Sequence, residues 1–382
     1  MELEENLQLQ QQIARLQALL DTSHQIHSTI ELDHVLRTVL RITVRELEMA
    51  GAFFTAFPFS YGDVPPRFML RPTSSDLEHG CFRFPLIDRN GATLTEMVVI
   101  TRDGAPLSLY EQDFLENLAI QGAVAIENAR YHEQTLDMAR VKQDMASARD
   151  IQRSMLPQSF PIIPGYSIWG RSVTCYEVGG DYLDILPLPS GELMIVVADV
   201  AGKGLASALV GSSFRSALRA IANSGMPLDQ MASNLNALHF GEGEQSQRRY
   251  VTAFFLRLDP KTHAIQVVNA GHNPGFLLNG SEEPVLIEAS GTPIGMLPDM
   301  SYTVEKYVLT DKTKLLLYTD GLTEVFHGVE EFGQDRLLQA FRACDSADAN
   351  AILDSIWQTL DAFSSGEALS DDMTALVVGR KP

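Results

Sequence analysis

Strand-like runs recur through the C-terminal part of the chain, and they restrict the fold more than any other feature. Many of them are neighbours separated only by a turn, which favours hairpins and antiparallel sheets over repeated βαβ units. Four helical patterns lie between them, so we expect antiparallel sheets flanked by helices. The runs span residues 166–173, 192–200, 250–258, 264–271, 274–280, 303–310, 313–321 and 373–379. The helical patterns span residues 206–224, 228–240, 332–343 and 349–363.

Aspartates lie at the ends or turns of these runs. Asp181 follows VGG, Asp199 ends LMIVVADV, Asp320 ends TKLLLYTDG, and the pair Asp371 and Asp372 precedes MTALVVG. Taken alone, each is more typical of a turn or a helix cap. Parallel or adjacent strands would bring several of these carboxylates together, and clustered carboxylates repel unless they are protonated or neutralised. Oxygen ligands without His or Cys point to Mg²⁺ or Mn²⁺.

The segment ADVAGKGLASALV, residues 198–210, is typical of a strand, a glycine loop and a helix. A Walker A phosphate loop would need Ser or Thr after Lys203, where Gly204 stands. The dinucleotide fingerprint GxGxxG also fails, because GKGLAS lacks the third glycine. Gly202 and Gly204 permit close backbone approach. Lys203 is either a contact for phosphate or an acidic substrate surface, or a solvated loop lysine.

The stretch VGGDYLD, residues 178–184, resembles the GG[DE]EF signature of enzymes that make cyclic dinucleotides. That signature requires an acidic residue and then Phe after Asp181. Tyr182 and Leu183 stand there instead. We therefore reject a cyclase.

Two regions precede the strand-rich part. Residues 1–21 are rich in Gln, Leu and Glu and carry a coiled-coil-like apolar seam, which predicts a helix that contacts a dimer partner or caps the adjoining domain. Residues 22–131 combine helical stretches with the strand-like runs CFRFPLI and LTEMVVIT, as in a small α/β domain. Ser108 and Glu111 form a capping box before its last helix.

That last helix continues without Gly or Pro from Arg130 to Leu156. Its apolar positions follow a three-four spacing that includes Met138, Val141 and Gln152. The helix is either a single exposed connection between domains or a parallel coiled coil. Weak seam residues such as Met, Ala and Gln suit a switch better than a strut. Pro157 ends it.

Charge and cysteine usage limit the partners. A formal net charge of −20 and a pI near 4.8 argue against nucleic-acid binding and against docking on anionic lipid. The N-terminus lacks a secretory signal, and no apolar run approaches the roughly 20 residues of a membrane span. Cys81, Cys175 and Cys344 form neither a zinc motif nor the CX₅R loop of thiol phosphatases. We expect a soluble, cytoplasmic protein without a nucleic-acid partner.

Six motifs resemble, in order, those of the bacterial PP2C-like (PPM) serine phosphatases of the SpoIIE/RsbU family. They are VGGDYLD, ADVAGKGLASALV, NAGHNP, GTPIGML, LLLYTDGLTE and SDDMTALVV, and ASARDIQRSMLP resembles the family's linker helix. The segment YEQDFLENLAIQGAVAIENARYHEQ resembles the closing helix of a GAF sensor domain. The resemblance implies an α+β fold. A PP2C-type αββα sandwich over 158–382 would be joined by a coiled-coil linker over 132–157 to a GAF-like α/β domain over 22–131.

The same resemblance implies a two-metal phosphatase. Asp199 would bridge two divalent cations, Mn²⁺ or Mg²⁺, and the backbone carbonyl of Val200 would bind the second. The remaining ligands would be aspartates from the other motifs: Asp181, Asp320 and Asp371, with Asp372 the alternative to Asp371. Water activated between two such cations attacks phosphorus directly, so no phospho-enzyme is needed.

Other candidate residues surround these aspartates. Asp184 would support Asp181. His272 and Asn273 would serve either as a source of a proton for the leaving oxygen or as turn formers. The glycines of the motifs determine backbone geometry: Gly179, Gly180, Gly202, Gly204 and Gly321.

The family also implies a substrate and a form of control. The substrate would be a phosphoserine or phosphothreonine on a STAS-domain (anti-anti-sigma) protein in bacterial partner switching. The N-terminal sensor would respond to a small ligand or a protein partner, and a helix pair from Leu205 to about His239 would regulate the metal site. The linker would form a homodimer. A catalytically silent adaptor is the alternative, and the presence of every metal aspartate favours the enzyme.

Overall fold

The computed structural model describes residues 17, 20–26, 28–65, 80–241, 249–280 and 283–381. Among these residues, no helix is long and apolar enough to cross a membrane. The chain divides into two compact units, Met1–Lys142 and Gln143–Pro382. The predicted helix over residues 1–21 and its apolar seam lie almost entirely outside the described residues.

The first unit contains a four-stranded antiparallel sheet with the strand order β2-β1-β4-β3. Its strands are β1 (Gly51–Phe54), β2 (Ser60–Gly62), β3 (Cys81–Ile87) and β4 (Thr93–Ile100). Helix α1 (Leu32–Glu46) and the first part of α2 (Leu109–Met155) contribute to its core, as does Ile26 from the helical residues 20–26. Leu36 and Val39 of α1 are buried with Met97 of β4 and Ile126 of α2. The assignment of this unit as a GAF domain stays a prediction.

Helix α2 begins at the predicted capping box. The Oε2 atom of Glu111 accepts hydrogen bonds from the N–H and the hydroxyl of Ser108, each at 2.7 Å, and the Glu111 N–H returns one to the Ser108 hydroxyl at 3.3 Å. The helix runs without a break to Met155, two residues before Pro157. Met138 and Val141 of the predicted seam are exposed. Pairing of this helix with a second copy stays a prediction.

The second unit is built on two five-stranded sheets, and every strand pair in them is antiparallel. The first sheet has the order β11-β10-β13-β16-β5, and the second has the order β12-β9-β8-β7-β6. Its strands are β5 (Tyr166–Val173), β6 (Tyr182–Pro187), β7 (Leu193–Val200), β8 (Val251–Leu258), β9 (Ala264–Ala270), β10 (Gly275–Asn279), β11 (Val285–Ile287), β12 (Glu305–Val308), β13 (Thr313–Tyr318) and β16 (Met373–Arg380). A separate hairpin pairs β14 (Phe326–His327) with β15 (Glu330–Glu331).

Helices cover the outer faces of both sheets. They are α3 (Leu205–Ala222), α4 (Leu228–Gly241), α5 (Gly333–Ala343) and α6 (Ala349–Ser364). Strand β7 explains the layering, because successive side chains of a strand point to opposite faces. Ile195 and Val197 lie in the core between the sheets, whereas Met194 and Val196 lie in the core under α3 and α4. A third core lies under α5 and α6. The predicted αββα sandwich is confirmed.

All eight predicted strands and four predicted helices of this unit are present. Strand β6 escaped prediction because a charged residue, Asp184, lies in its middle and a proline ends it. Strands β11, β14 and β15 have only two or three residues and carry too little pattern to be recognised.

Candidate active site

One end of the sandwich brings the strand-end aspartates together. Strand β6 begins where β7 ends, with Tyr182 opposite Ala198, and β16 begins where β13 ends, with Ala375 opposite Tyr318. The residues just beyond these pairs therefore meet at one rim. Antiparallel register, rather than parallel strands, is what gathers the carboxylates.

Asp181 directly precedes β6 and is buried. Its Oδ2 atom accepts a 2.8 Å hydrogen bond from the hydroxyl of Thr319, which follows β13 in the other sheet. The Thr319 oxygen in turn accepts the backbone N–H of Thr374 at 2.9 Å. Burial, followed by the negative charge of Asp199, raises the pKa of Asp181 well above its ordinary value. Thr319 thus holds this carboxylate across the two sheets.

Asp199 is the next-to-last residue of β7. Burial, together with the charges of Asp320 and Asp371, raises its pKa to about 7. The adjacent carbonyl of Val200 is approached closely by the backbone of Gly180. A Cβ atom at Gly180 would lie 2.9 Å from that carbonyl oxygen and 3.2 Å from Oδ1 of Asp199. Only glycine lets these segments pass so closely.

Asp320 begins a short 3₁₀ turn, Asp320–Leu322, directly after β13 and Thr319. Burial and the charge of Asp371 raise its pKa, while the charge of Lys203 opposes that rise. The next residue, Gly321, lies against the backbone of Asp372. A Cβ atom there would lie 2.0 Å from the Asp372 carbonyl oxygen, so this contact requires glycine.

Asp371 and Asp372 face different partners. The Oδ2 atom of Asp371 lies 2.8 Å from the ammonium of Lys203. Asp372 is buried, and its two carboxylate oxygens accept the backbone N–H groups of Cys175 and Gly180 at 2.8 and 2.7 Å. Asp372 therefore holds the loop before β6, and Asp371 remains the better candidate for a cation.

The five carboxylates make this rim strongly negative. Within the described ranges, no three Asp, Glu, His or Cys side chains converge tightly enough to form a ready-made metal cage. Mg²⁺ is commonly held by only one or two carboxylates, with water completing its shell. Clustered carboxylate oxygens, without His or Cys among the five residues, therefore fit a partly hydrated, hard divalent cation.

Asp184 does not reach Asp181 as the sequence suggested. Residues two apart on a strand share a face, so its side chain lies with that of Tyr182 on the side of α3. Its carboxylate accepts two hydrogen bonds from the guanidinium of Arg219, at 2.7 and 2.8 Å, and one from the Tyr182 hydroxyl. Asp184 fastens α3 to the sheet.

His272 and Asn273 lie in a loop organised by Asn269. The His272 N–H donates to the Asn269 side chain at 2.8 Å, and the Asn273 carbonyl accepts from it at 3.3 Å. The His272 ring is buried and its Nδ1 pairs with the Thr252 hydroxyl at 2.8 Å. Burial lowers the pKa of His272 to about 4. These contacts favour the turn-forming role over proton donation.

The loop after β7 turns through Gly202 and Gly204, with positive φ angles of 96° and 76°. A guanidinium nitrogen of Arg249 donates to the carbonyl of Ala201 at 2.6 Å. Lys203 reaches across to Asp371 and also donates to the Ser370 carbonyl at 2.6 Å. The Lys203 side chain stays largely exposed while it makes these two contacts, and its role toward phosphate or a substrate surface stays a prediction.

Sequence reasoning missed several residues that organise the rim. Thr319 stands beside Asp320 in the motif YTDG, yet nothing local marks a threonine as the partner of Asp181. Thr252 lies opposite Asp199 in the β7–β8 ladder, which only strand register reveals. Gln152, predicted as a residue of the coiled-coil seam, instead donates a hydrogen bond to the Gly179 carbonyl of the same chain.

The family described as Stage II sporulation protein E (SpoIIE) matches residues 189–381, which is 193 of the 382 residues. The chain belongs to the SpoIIE family. The sequence-based resemblance is thereby confirmed. For this SpoIIE-family chain the match includes Asp199, Asp320 and Asp371 but begins after Asp181, whose inclusion rests on geometry.

Two curated relatives match somewhat more than three fifths of the chain. Protein IcfG of Synechocystis sp. (strain ATCC 27184 / PCC 6803 / Kazusa) is 28% identical over 263 residues, covering 62% of this chain and 41% of IcfG. Phosphoserine phosphatase RsbU of Bacillus subtilis (strain 168) is 27% identical over 246 residues, covering 63% of this chain and 71% of RsbU. The chain thus spans only about two fifths of the length of IcfG.

A solved structure shares the fold. The SiaA-PP2C domain of Pseudomonas aeruginosa matches with a TM-score of 0.56 and 20% identity, over 64% of this chain and 99% of that domain. The likeness establishes a PP2C-type fold for the second unit.

Proposed function

We propose that this protein is a metal-dependent phosphoprotein phosphatase that hydrolyses phosphoserine or phosphothreonine. The observation that carries the proposal is the meeting of Asp181, Asp199, Asp320 and Asp371 at one rim of a PP2C-type sandwich. Membership in the SpoIIE family supports it, as does the similarity to a protein named phosphoserine phosphatase RsbU.

The carboxylates at the rim would hold two divalent cations, Mn²⁺ or Mg²⁺. Asp199 and the Val200 carbonyl are the central ligands in this proposal, with Asp181, Asp320 and Asp371 around them. Cations held there would lower the pKa of bound water and would stabilise the charge that develops during phosphate hydrolysis.

The chain's own residues prepare the rim for this role. Thr319 fixes the Asp181 carboxylate through its hydroxyl, and Asp372 fixes the loop before β6 through two backbone N–H groups. Lys203 places a positive charge beside Asp371, where it also attracts a phosphate dianion. A carboxylate-rich rim would otherwise repel an anionic substrate.

The finer assignments belong to the same proposal. The substrate would be a phosphorylated STAS-domain protein in partner switching. Residues 22–131 would form a GAF-like sensor for a small ligand or protein partner, and residues 132–157 a coiled coil that dimerises the chain. Residues 158–382 would form the phosphatase domain.

The test measures phosphate release from a phosphoserine STAS-domain protein with Mn²⁺ or Mg²⁺ added. Wild type is compared with Asp199→Asn and with the control Asp259→Asn, a half-buried turn aspartate in the β8–β9 hairpin, at the end of β8 opposite to Thr252 and Asp199. We expect Asp199→Asn to lower kcat by about three orders of magnitude, equivalent to about 4 kcal/mol of lost charge stabilisation. Equal turnover in wild type and Asp199→Asn, or no cation-dependent hydrolysis by wild type, would contradict the proposal.

A further inference from the structure

The end of helix α2 holds the backbone that leads into Asp181. The side-chain amide of Gln152 donates from Nε2 to the Gly179 carbonyl at 2.7 Å. Its Oε1 atom accepts the Gly179 N–H at 3.1 Å. One side chain therefore satisfies both polar groups of a buried glycine. This paired contact fixes the position and the orientation of the Gly179 peptide groups.

The same short loop is held from its other side by Asp372. The Gly180 N–H donates to Asp372 Oδ2, and a Cβ atom at Gly179 would lie 2.4 Å from that same oxygen. The backbone between Gln152 and Asp372 thus has little freedom, and Asp181 follows it directly. A shift at Gln152 must displace the Asp181 carboxylate or break one of these hydrogen bonds.

The last turn of α2 is also fastened to α3. The backbone carbonyl of Met155 accepts a 3.1 Å hydrogen bond from Arg215, and the Ser212 hydroxyl lies 3.7 Å from the Met155 sulfur. Leu156 packs against the core beneath α3 and α4. The space left between these elements and Asp181 is about 20 Å³, room for about one water molecule. The contact is therefore packed closely enough to transmit a displacement.

We propose that Gln152 is a positioning residue for the metal site: it sets the place of Asp181 through the Gly179 backbone, so the end of helix α2 tunes cation affinity. The inference rests on the proposed metal-dependent function and deepens its regulation. It differs from control through the α3–α4 pair alone, because Gln152 acts on the Asp181 loop without an intervening helix. A rotation or withdrawal of the last turn of α2 would weaken cation binding without unfolding the second unit.

The test replaces the amide and keeps the length of the side chain. In full-length protein, Gln152→Met removes both hydrogen bonds, and Gln143→Met is the control at an exposed position of the same helix. Mn²⁺ affinity is measured by calorimetry, and hydrogen exchange is followed in a peptide spanning residues 176–182. We expect Gln152→Met to weaken Mn²⁺ binding about tenfold, as expected for two ordinary hydrogen bonds, and to speed exchange there. Gln143→Met leaves both unchanged.

The outcomes separate this inference from the proposed function. If Gln152→Met binds Mn²⁺ as tightly as the wild type does and exchanges at the same rate, the positioning role is overturned, even if the enzyme hydrolyses phosphoserine. Weakened Mn²⁺ binding in Gln152→Met supports the role, even if no phosphatase substrate is found. If Gln152→Met does not fold, exchange in the wild type decides: a Gly179 amide protected from exchange supports the clamp, and one that exchanges like an exposed loop overturns it.

Discussion

The side chain of Asp372 accepts a 2.7 Å hydrogen bond from the backbone N–H of Gly180, a residue 192 positions earlier in the chain. The neighbouring Asp371 instead contacts Lys203. Two adjacent aspartates in one motif therefore have different roles, one that shapes the loop before β6 and one that faces the site.

Exchanging each aspartate for asparagine separates these roles. Asp372→Asn replaces one of the two acceptor oxygens by an NH₂ group that cannot accept a backbone N–H, and we expect a loss of about 2 kcal/mol in unfolding free energy. Asp371→Asn removes a partly exposed ion pair, so unfolding changes by less than about 1 kcal/mol. We nevertheless expect Asp371→Asn to weaken Mn²⁺ binding at least about tenfold. Even residues that only orient a metal ligand typically cost about tenfold in affinity when they are replaced. Urea unfolding measures the stability and calorimetry measures the Mn²⁺ affinity. A larger loss of Mn²⁺ affinity in Asp372→Asn than in Asp371→Asn would assign the ligand to Asp372.

The Arg219–Asp184 ion pair should stabilise the second unit. Among the described residues, Arg219→Met leaves the fully buried carboxylate of Asp184 with hydrogen bonds from the Tyr182 hydroxyl and the Ile185 N–H. We expect a loss of about 2 kcal/mol in unfolding free energy, because removing one partner leaves the buried charge poorly compensated.

Fluorescence reports this unfolding selectively, because both tryptophans of the chain, Trp169 and Trp357, lie in the second unit. Arg342→Met is the control, since it breaks an ion pair with Glu283 in which both side chains are largely exposed. That variant should lose less than about 1 kcal/mol. Equal losses of unfolding free energy in the two variants would mean that Arg219 does not stabilise the buried Asp184 carboxylate.

His272 makes the stability of the second unit depend on pH. Its folded pKa of about 4 lies below the ordinary value of 6.5, so the unfolded chain binds the proton more strongly. The stabilisation is therefore complete above pH 6.5 and is lost as the pH falls towards 4, by about 3 kcal/mol.

A His272→Gln variant isolates this effect from that of the acidic side chains. Urea unfolding of wild type and variant is followed by tryptophan fluorescence from pH 7 to pH 4. As the pH falls, we expect the unfolding free energy of the wild type to decrease more than that of His272→Gln. A difference that stays constant over this range would show that His272 titrates alike in the folded and unfolded chains.

The close approach at Gly180 predicts a sensitive position. Gly180→Ala brings a methyl group within 2.9 Å of the Val200 carbonyl and 3.2 Å of the Asp199 carboxylate, so one of them must move. We expect phosphatase turnover to fall at least about tenfold, with a stability loss of about 1–3 kcal/mol from overpacking. Gly241→Ala is the control, because a Cβ atom there meets no described atom within 4 Å. Normal turnover in Gly180→Ala would contradict the proposed role of the Val200 carbonyl as a cation ligand.

Local sequence pattern was sufficient for most of the fold. The run LMIVVA in β7 is apolar on both faces because both faces are buried, and Ser108 with Glu111 marks the start of α2 by chemistry confined to one turn. Strand β6 was missed because Asp184 broke the pattern. That aspartate is tolerated only because Arg219 reaches it from α3.

The ordered motifs of the sequence determined the family and, through that resemblance, the αββα arrangement. Hydrophobic pattern alone determined most of the strands and the strand ends that carry the aspartates, because it is a local property of the chain. Only the tertiary structure decided which carboxylates are free to face a cation. Thr319 reaches Asp181 across 138 positions, and Asp372 reaches Gly180 across 192. Such partners are selected by the register of strands in two sheets, and a one-residue shift in register turns a side chain to the opposite face. Gln152 is the same case, because its partner Gly179 comes within reach only when the end of α2 packs beside the loop before β6.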